Sequence, residues 1–322
     1  MKKKLFALSI CIMLLSVILC SCEIKSTAES NIYIEYLDSK IEKIIANKQE
    51  NTITKSFYYI TDLHWKKNAR HSPQLVEAIK QKTEIKDIVF GGDYIEEAYE
   101  KKSDAIKIMS DCVSAFKTDD YVAILGNHDM NTTSSKVYEE LSDREAIKVL
   151  NKGRVEESYF NIDDEENKIG CIYLNTNCFN NSCPQISWFE QKIMMYSSDW
   201  TVLVFMHEYN DYATAGICIR KGKNGILIDK LLDDNKSNIK CKIAGIFSAH
   251  THRDYFDYNS FGCPVISTTC DSIGVYDWCD NLYKREKDTI TEQAFDVVQV
   301  DTIQRKVFMT RIGAGVDRTY YY

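Results

Sequence analysis

Phe57-Tyr58-Tyr59-Ile60-Thr61-Asp62-Leu63-His64 is the stretch that decides the fold of this chain. Its first half consists of aromatic and β-branched residues, which are typical of a buried strand. The strand pattern ends abruptly in an Asp-x-His pair. Both residue types bind metals, and two of them at the end of a strand can reach the same ion. Alone, this pair is too common to identify a site.

Four later stretches complete the pattern. Each contains Asp, Asn or His at or just past the end of an apolar, strand-like run: Gly91-Gly92-Asp93, Gly126-Asn127-His128-Asp129, His207 and His250-Thr251-His252. The chain has six histidines, and five of them lie in these motifs. Because ligands bind outside the carboxyl ends of the strands in open α/β sheets, we expect these distant residues to share one edge.

Composition and patterning indicate a globular α/β protein. The 322 residues are 44% hydrophobic and 27% charged, which is enough for one large domain or two small ones. Strand and helix patterns alternate in the first half, which predicts parallel strands with crossover helices, whereas the strands after residue 242 follow one another closely. The formal net charge of −7 disfavours a nucleic-acid partner, because phosphate backbones are bound mainly by Lys and Arg.

The first residues form a secretion signal rather than part of the fold. Three lysines precede an uncharged apolar segment that ends in Leu19-Cys20-Ser21-Cys22, which resembles a bacterial lipobox. We therefore expect a lipoprotein signal peptide over 1–21, a tether and amphipathic helix over 22–55, and the main domain over 56–322. Acyl chains on Cys22 would anchor the protein outside the cytoplasm, on the bacterial cell membrane. An uncleaved signal anchor is the alternative.

The cysteines after Cys22 match no zinc-binding spacing. An extracytoplasmic location permits disulfides, and Cys178 could pair with Cys183, or Cys270 with Cys279. The alternative is that these residues remain thiols and pack as small hydrophobic side chains.

The donor atoms in the five motifs favour a particular class of metal. Carboxylate oxygens together with imidazole nitrogens suit Mn, Fe or Zn rather than Ca or a thiolate-bound ion. The candidates outnumber the ligands that one ion needs, so we expect two divalent ions that share a carboxylate. Two such ions, about 3.5–4 Å apart, stabilise both the attacking and the leaving oxygen of an in-line displacement.

In this order the motifs resemble those of the calcineurin-like metallophosphoesterase superfamily, and the resemblance covers roughly residues 56–255. It implies an α/β fold in which a two-sheet β-sandwich is flanked by helices, a four-layer αββα arrangement. The implied reaction is hydrolysis of a small phosphomonoester or phosphodiester by a metal-bridging hydroxide. A catalytically inactive surface lipoprotein that binds a phosphorylated ligand or a metal is the alternative.

The resemblance also implies individual roles. One ion would be held by Asp62, His64, His252 and a bridging Asp93, and the second by Asp93, Asn127, His207 and His250. His128 would stabilise the transition state and help to protonate the leaving oxygen without binding metal. Glu96 would orient His128, or would simply be an exposed residue at the start of a helix. The sequence departs from the family pattern at Ala249, where a glycine is usual, and at Asp129, where a glutamate is commoner.

Several residues near the motifs have two interpretations. Four side chains could contact substrate or could simply pack or be solvated: Trp65, His71, Tyr94 and Tyr209. Arg311 and Arg318 flank a Gly-x-Gly stretch that we interpret as a strand end and turn. They could contact phosphate if the C-terminus folds over the site.

Overall fold

The computed structural model describes residues 33–96, 98–132, 138–180, 182–212, 219–275 and 283–322. The strands in chain order are β1 (Ile53–Ile60), β2 (Ile88–Phe90), β3 (Tyr121–Ala123), β4 (Phe160–Asp164), β5 (Ile169–Tyr173), β6 (Thr201–Phe205), β7 (Asn210–Tyr212), β8 (Ile219–Lys221), β9 (Lys242–Ser248), β10 (Tyr255–Tyr258), β11 (Pro264–Ser267), β12 (Ala294–Asp301), β13 (Lys306–Gly313) and β14 (Arg318–Tyr321). The helices are α1 (33–50), α2 (Ser72–Thr83), α3 (Lys102–Ser114), α4 (Asp143–Leu150), α5 (Pro184–Met195) and α6 (Lys223–Asp234).

Two six-stranded sheets form the centre of the molecule. The first has the order β14-β13-β12-β1-β2-β3, and the second has the order β10-β11-β9-β6-β5-β4. β1, β2 and β3 are parallel, whereas β12, β13 and β14 pair antiparallel. In the second sheet β5, β6, β9 and β11 are parallel, and β4 and β10 are antiparallel edge strands. Five of the parallel strands, β1, β2, β3, β6 and β9, end at the sequence motifs.

Strand β1 shows why the sequence forms layers. Successive side chains of a strand point to opposite faces, and Phe57 and Tyr59 contact the second sheet while Tyr58 and Ile60 contact helices. The Phe57 ring packs edge-to-face against Phe205, with centroids 5.6 Å apart. Because both faces of the second half of β1 are buried, Phe57–Ile60 is continuously apolar rather than alternating.

Helices cover the outer face of each sheet. The first sheet packs against α1 to α4 through residues such as Ile44, Ile79 and Met109. The second packs against α5 and α6 through Phe189 and Ile228. The predicted two-sheet α/β sandwich with flanking helices is therefore confirmed.

Helix α1 is the amphipathic helix expected in the tether region. Its apolar side chains Ile41 and Ile44 are buried in the cluster on the first sheet. Lys40 and Lys43 bind Asp317 near the C-terminus, at 2.7 and 2.8 Å. The expected signal peptide and Cys22 lie outside the described residues. Within the described part of the chain, no helix is both long enough and apolar enough to span a bilayer.

Three elements differ from the sequence prediction. The apolar pattern of residues 95–117 predicts a helix there, but α3 begins only at Lys102. The preceding segment is held instead by Asn131, whose side chain bonds Tyr99 N and O at 2.7 and 2.9 Å. The hairpin of β7 and β8 and the final strand β14 were not predicted. These strands are short and polar, so they lack the apolar run on which the prediction depended.

The cysteines whose placement is described are thiols. Cys178 and Cys183 lie together, with their sulfur atoms 2.7 Å apart. Cys270 is buried, and its proposed partner Cys279 lies outside the described residues. The structure therefore places one of the two expected pairs in contact.

Candidate metal centre

The predicted ligands converge at one edge of the sandwich. Each lies just past the carboxyl end of a parallel strand: Asp62 after β1, Asp93 after β2, Asn127 after β3, His207 after β6 and His250 after β9. The two sheets pack face to face, so their strand ends bring residues from both halves of the chain to one place.

The backbone at these positions adopts a conformation that non-glycine residues rarely adopt. The φ angles are 50° at Asp62, 39° at His64, 58° at Asp93, 67° at His250 and 52° at His252. Each such residue costs about 1–3 kcal/mol and persists only where the surrounding structure fixes it. Backbone hydrogen bonds fix the conformation here. The His64 N–H donates to Asp93 O and the Asp62 N–H donates to Gly92 O, both at 3.0 Å. The strained loops that follow the strands therefore hold the ligands in place.

The first ligand group consists of Asp62, His64, Asp93 and His252. All four are buried, and one ligand atom from each lies within 4.8 Å of the others. His64 Nε2 is 3.2 Å from His252 Nε2, and His252 Nε2 is 3.4 Å from Asp62 Oδ1. This is the set expected to hold the first ion.

The second group shares Asp93 with the first. Ligand atoms of Asp93, His207 and His250 also lie within 4.8 Å of one another. The Asn127 Oδ1 atom lies between the two histidines, 3.1 Å from His207 Nε2 and 2.9 Å from His250 Nδ1. Asp93 Oδ2 is 3.2 Å from His207 Nε2. Asp93 is thus the carboxylate that both groups could use.

The donor atoms fit divalent cations. Asp62 Oδ1 is buried and accepts no hydrogen bond from the described residues, which is costly for a carboxylate unless a cation lies beside it. The facing nitrogens of His64 and His252 would each present a lone pair to such an ion. Burial alone would lower the pKa of His207, but Asp93 beside it raises that pKa to about 10, because the carboxylates attract positive charge. The residues therefore suit metal binding.

The protonation of His64 follows from its neighbours. Its Nδ1 atom lies 3.2 Å from Ile95 O and 2.8 Å from Glu96 Oε2, which are both acceptors. Nδ1 must therefore carry the proton, which leaves the Nε2 lone pair directed toward His252. A carboxylate behind a histidine in this way fixes the ring and raises its basicity as a ligand.

The expected role of Glu96 in orienting His128 is wrong, since its carboxylate contacts His64 and Lys67 instead. Lys67 Nζ is 2.9 Å from Glu96 Oε1. Burial alone would raise the pKa of Glu96, but His64 and Lys67 together lower it to about 2. Because Glu96 follows Asp93 by three residues in a loop rather than in a helix, its side chain turns toward β1 and reaches His64.

His128 lies beside the ligands and belongs to neither group. Its Nε2 atom is 3.9 Å from Asp93 Oδ2, and its backbone N–H donates to Asp93 Oδ1 at 2.9 Å. Its ring meets that of His64 edge-to-face at 5.4 Å. The side chain is 32% exposed, whereas Asp93 is buried, so His128 can reach a bound molecule from the solvent side.

Asp129 is a positioning residue that the sequence did not reveal. Its buried carboxylate accepts from the backbone N–H groups of Asp93 and Tyr94 at 2.9 Å, and of Gly126 at 2.7 Å. It thereby joins the loops after β2 and β3. The contact requires glycine at position 126, because a Cβ there would lie 2.1 Å from Asp93 Oδ1. Sequence adjacency to Asn127 and His128 was the available signal.

The aromatic candidates pack in the core rather than at the centre. Trp65 is buried, and the Arg70 guanidinium lies over its ring at 5.0 Å. Tyr94 and Tyr209 are also buried, and their hydroxyl groups donate to Ile124 O at 3.2 Å and to Asp229 Oδ1 at 2.7 Å. Each hydroxyl is engaged away from the ligands.

Arg311 has no freedom to bind phosphate, in contrast to the possibility raised by the sequence. It is fully buried and bonds Asp254 through two nitrogens, both at 2.8 Å, and Asp296 at 2.9 and 3.0 Å. Arg318 also pairs with Asp254, at 2.9 Å. Because Asp254 follows His252 by two residues, this ion cluster fixes the chain as it leaves the metal centre.

A cleft opens beside His250. It has a volume of about 680 Å³, and the unpredicted β7–β8 hairpin and the start of α6 contribute both acidic and basic residues to it, including Glu208, Asp211, Arg220 and Lys223. Asp211 Oδ1 is 3.9 Å from His250 Nε2. The cleft thus adjoins the second ligand group directly.

Comparison with known proteins agrees with this geometry. A family model described as calcineurin-like phosphoesterase matches residues 55–254. A dimetal phosphatase from Danio rerio shares the fold, with a TM-score of 0.58 and 12% identity over 84% of this chain and 99% of that one. The calcineurin-like phosphoesterase YfkN from Bacillus subtilis is 14% identical over 84% of this chain and 91% of that one, with a TM-score of 0.40. Among curated proteins, none matches this chain in sequence. The family match spans every ligand at the sheet edge, and the chain therefore belongs to the calcineurin-like phosphoesterase family.

Proposed function

We propose that this protein hydrolyses a small phosphomonoester or phosphodiester with the help of two divalent ions, which could be Mn, Fe or Zn. The observation that carries the proposal is the pair of ligand groups that share Asp93. Both groups are formed by buried or nearly buried side chains at the ends of parallel strands. Such precise placement at a strained backbone is expected of a working site.

Each side chain has a role in this proposal. Asp62, His64 and His252 would hold one ion, Asn127, His207 and His250 the other, and Asp93 both. Asn127 offers a neutral oxygen, which limits the negative charge around the second ion. When bound, such ions activate water near neutral pH and neutralise charge on phosphoryl oxygens.

His128 is the proposed acid. Its ring lies beside Asp93 without belonging to either ligand group, and its side chain is 32% exposed. It would donate a proton to the departing oxygen and stabilise the phosphoryl group as negative charge develops. Proton transfer by a positioned side chain typically contributes about 10²–10⁴-fold to a rate.

The cleft beside His250 would hold the remainder of the substrate. Its volume of about 680 Å³ suits a small molecule rather than a polymer. Arg220 and Lys223 on its wall would favour a substrate with a further anionic group. The formal net charge of −7 weakens long-range attraction for large polyanions, which also favours a small substrate.

We also propose that the protein is anchored outside the cytoplasm through lipid on Cys22. The basic and apolar pattern before Cys22 supports this proposal. Replacement of Cys22 by Ala should move the protein from the membrane fraction to the soluble fraction in a bacterial host. Unchanged membrane association of Cys22→Ala would instead favour an uncleaved signal anchor.

Release of p-nitrophenol from mono- and bis-p-nitrophenyl phosphate tests the enzymatic proposal. Wild-type protein with added Mn or Zn should turn over at least one ester, and His128→Ala should reduce kcat by about 10²-fold or more. Arg144→Ala is the control, because this exposed residue of α4 pairs with Glu156 and lies outside the metal groups. Bound metal without turnover of any ester, across nucleotides, phospholipids and model diesters, would instead favour a binding protein.

A further inference from the structure

We propose a third divalent metal site, distinct from the centre described above, formed by His71, Asp288 and Glu292. His71 is the one histidine of the chain that the sequence motifs do not include. It precedes α2, and the two acids lie in the 283–293 segment before β12. One ligand atom from each lies within 4.8 Å of the others, which is close enough for one ion. All three residues line a cavity of about 250 Å³.

Glu292 is the observation that points to a ligand. The residue is only 1% exposed, so its carboxylate is buried. Its Oε2 atom accepts from the Asp288 backbone N–H at 2.7 Å. Its Oε1 atom is buried and has no hydrogen-bond partner among the described residues. A buried carboxylate with an unsatisfied oxygen costs free energy unless a cation or donor completes it.

His71 does not complete this carboxylate by itself. Its Nε2 atom is 3.7 Å from Glu292 Oε2, which is longer than a hydrogen bond. An ion held by both oxygens of this carboxylate and by His71 Nε2 would satisfy Oε1 and would suit a spacing that is too long for a hydrogen bond. The His71 side chain is 45% exposed and Asp288 is also exposed, so an ion can enter from solvent.

The donor set indicates the class of ion. One imidazole with two carboxylates suits a borderline ion such as Zn²⁺ better than Ca²⁺ or Mg²⁺, which prefer oxygen ligands alone. Three protein ligands leave a fourth position for water. Zinc is therefore the appropriate probe.

An ion here would join α2 to the segment before β12. Hydrogen bonds connect that segment to the main centre. Arg285 in this segment donates to Cys270 O at 2.6 Å and to Asp271 O at 2.7 Å. The Asp271 N–H in turn donates to Thr61 O at 2.9 Å, beside the ligand Asp62. We therefore expect zinc at this site to stabilise the fold next to Asp62.

Zinc content per chain, measured by mass spectrometry after equilibrium dialysis of the full chain, tests the proposal. A His64→Ala/His207→Ala background, which removes ligands from both groups of the main centre, should retain one zinc ion. Adding His71→Ala should remove it. Gln74→Ala, in the same cavity but outside the ligand set, is the matched control and should retain the ion.

A second variant protects the test against misfolding. Glu292→Gln keeps the side-chain shape and should weaken zinc binding by about tenfold or more. Zinc should raise the melting temperature of the background protein and should not raise that of its His71→Ala derivative. In otherwise wild-type protein, His71→Ala should lower the zinc content by one ion whatever the main centre holds, so failure of the proposed activity would not affect the result. Equal zinc content with and without His71 would overturn the proposal.

Discussion

Replacement of Glu96 by Gln should weaken binding of the first metal ion without removing any ligand. Glu96 Oε2 lies 2.8 Å from His64 Nδ1, and the variant keeps the shape of the side chain but removes its charge. Loss of such a partner behind a metal-binding histidine typically costs about 10–100-fold in metal affinity. Ile95 O, 3.2 Å from the same nitrogen, would still hold the ring, so we expect a value near tenfold, or about 1.4 kcal/mol.

Isothermal titration with Mn, together with activity at saturating Mn, separates this effect from a general defect. The dissociation constant of the first site should rise, while kcat at saturating metal should change little. Lys67→Gln is the matched control, because it removes the 2.9 Å contact to Glu96 Oε1 and leaves the contact to His64. It should bind metal nearly as the wild type does.

The pH dependence gives an independent check. The pKa of Glu96 is lowered to about 2 in the folded chain, so the carboxylate is ionised wherever the centre would work. A lowered pKa means that its contribution to stability is present above its ordinary pKa of 4.5 and is lost as the pH falls toward about 2. The difference in the free energy of unfolding between Glu96→Gln and wild type should therefore be constant between about pH 6 and pH 8. Identical metal affinity in the two proteins would refute this role of Glu96.

Three further predictions concern the scaffold. Arg311→Met should destabilise the fold by about 3–5 kcal/mol in denaturant unfolding, because it leaves the buried carboxylate of Asp296 without its cation and that of Asp254 with Arg318 alone. A loss below about 1 kcal/mol, as for a surface pair, would contradict this. Cys178 and Cys183, 2.7 Å apart, should form a disulfide with oxidised glutathione, seen as two fewer titratable thiols; an unchanged thiol count would contradict it. Asp317→Asn should cost up to about 1 kcal/mol at neutral pH. Lys40 helps to lower the pKa of Asp317 from 3.8 despite burial, so the wild-type advantage should vanish as the pH falls below that value, and a pH-independent difference would argue against the pairing.

The sequence predicted those parts of the fold that local patterns specify. The apolar run of β1 and its Asp-x-His end predict a buried strand that delivers ligands, and the structure has both. The alternation of strands and helices up to β6 predicts parallel pairing, which is also present. The ligands follow their strands by two to four positions, and so the strands place them and their convergence could be inferred without coordinates.

Contacts between distant segments could not be predicted in the same way. Glu96 was matched to His128 by family analogy, but its direction depends on where the loop after β2 turns, and it reaches His64 instead. The sequence places Arg311 near a strand end, yet it is buried because Asp254, just before β10, and Asp296, on β12, both bind it. The same holds for Asp129, because two of its three backbone donors, Asp93 and Tyr94, belong to a loop that the sequence does not show to be adjacent.

Metal titration of activity tests the central claim most directly. Protein stripped with a chelator should release no p-nitrophenol from its best p-nitrophenyl ester. Added Mn should restore activity in proportion until two ions per chain are bound at the main centre, and Asp93→Asn, which alters the shared ligand, should remain inactive at any Mn concentration. Activity that survives chelation, or full activity in Asp93→Asn, would contradict the assignment of a dinuclear centre built on Asp93.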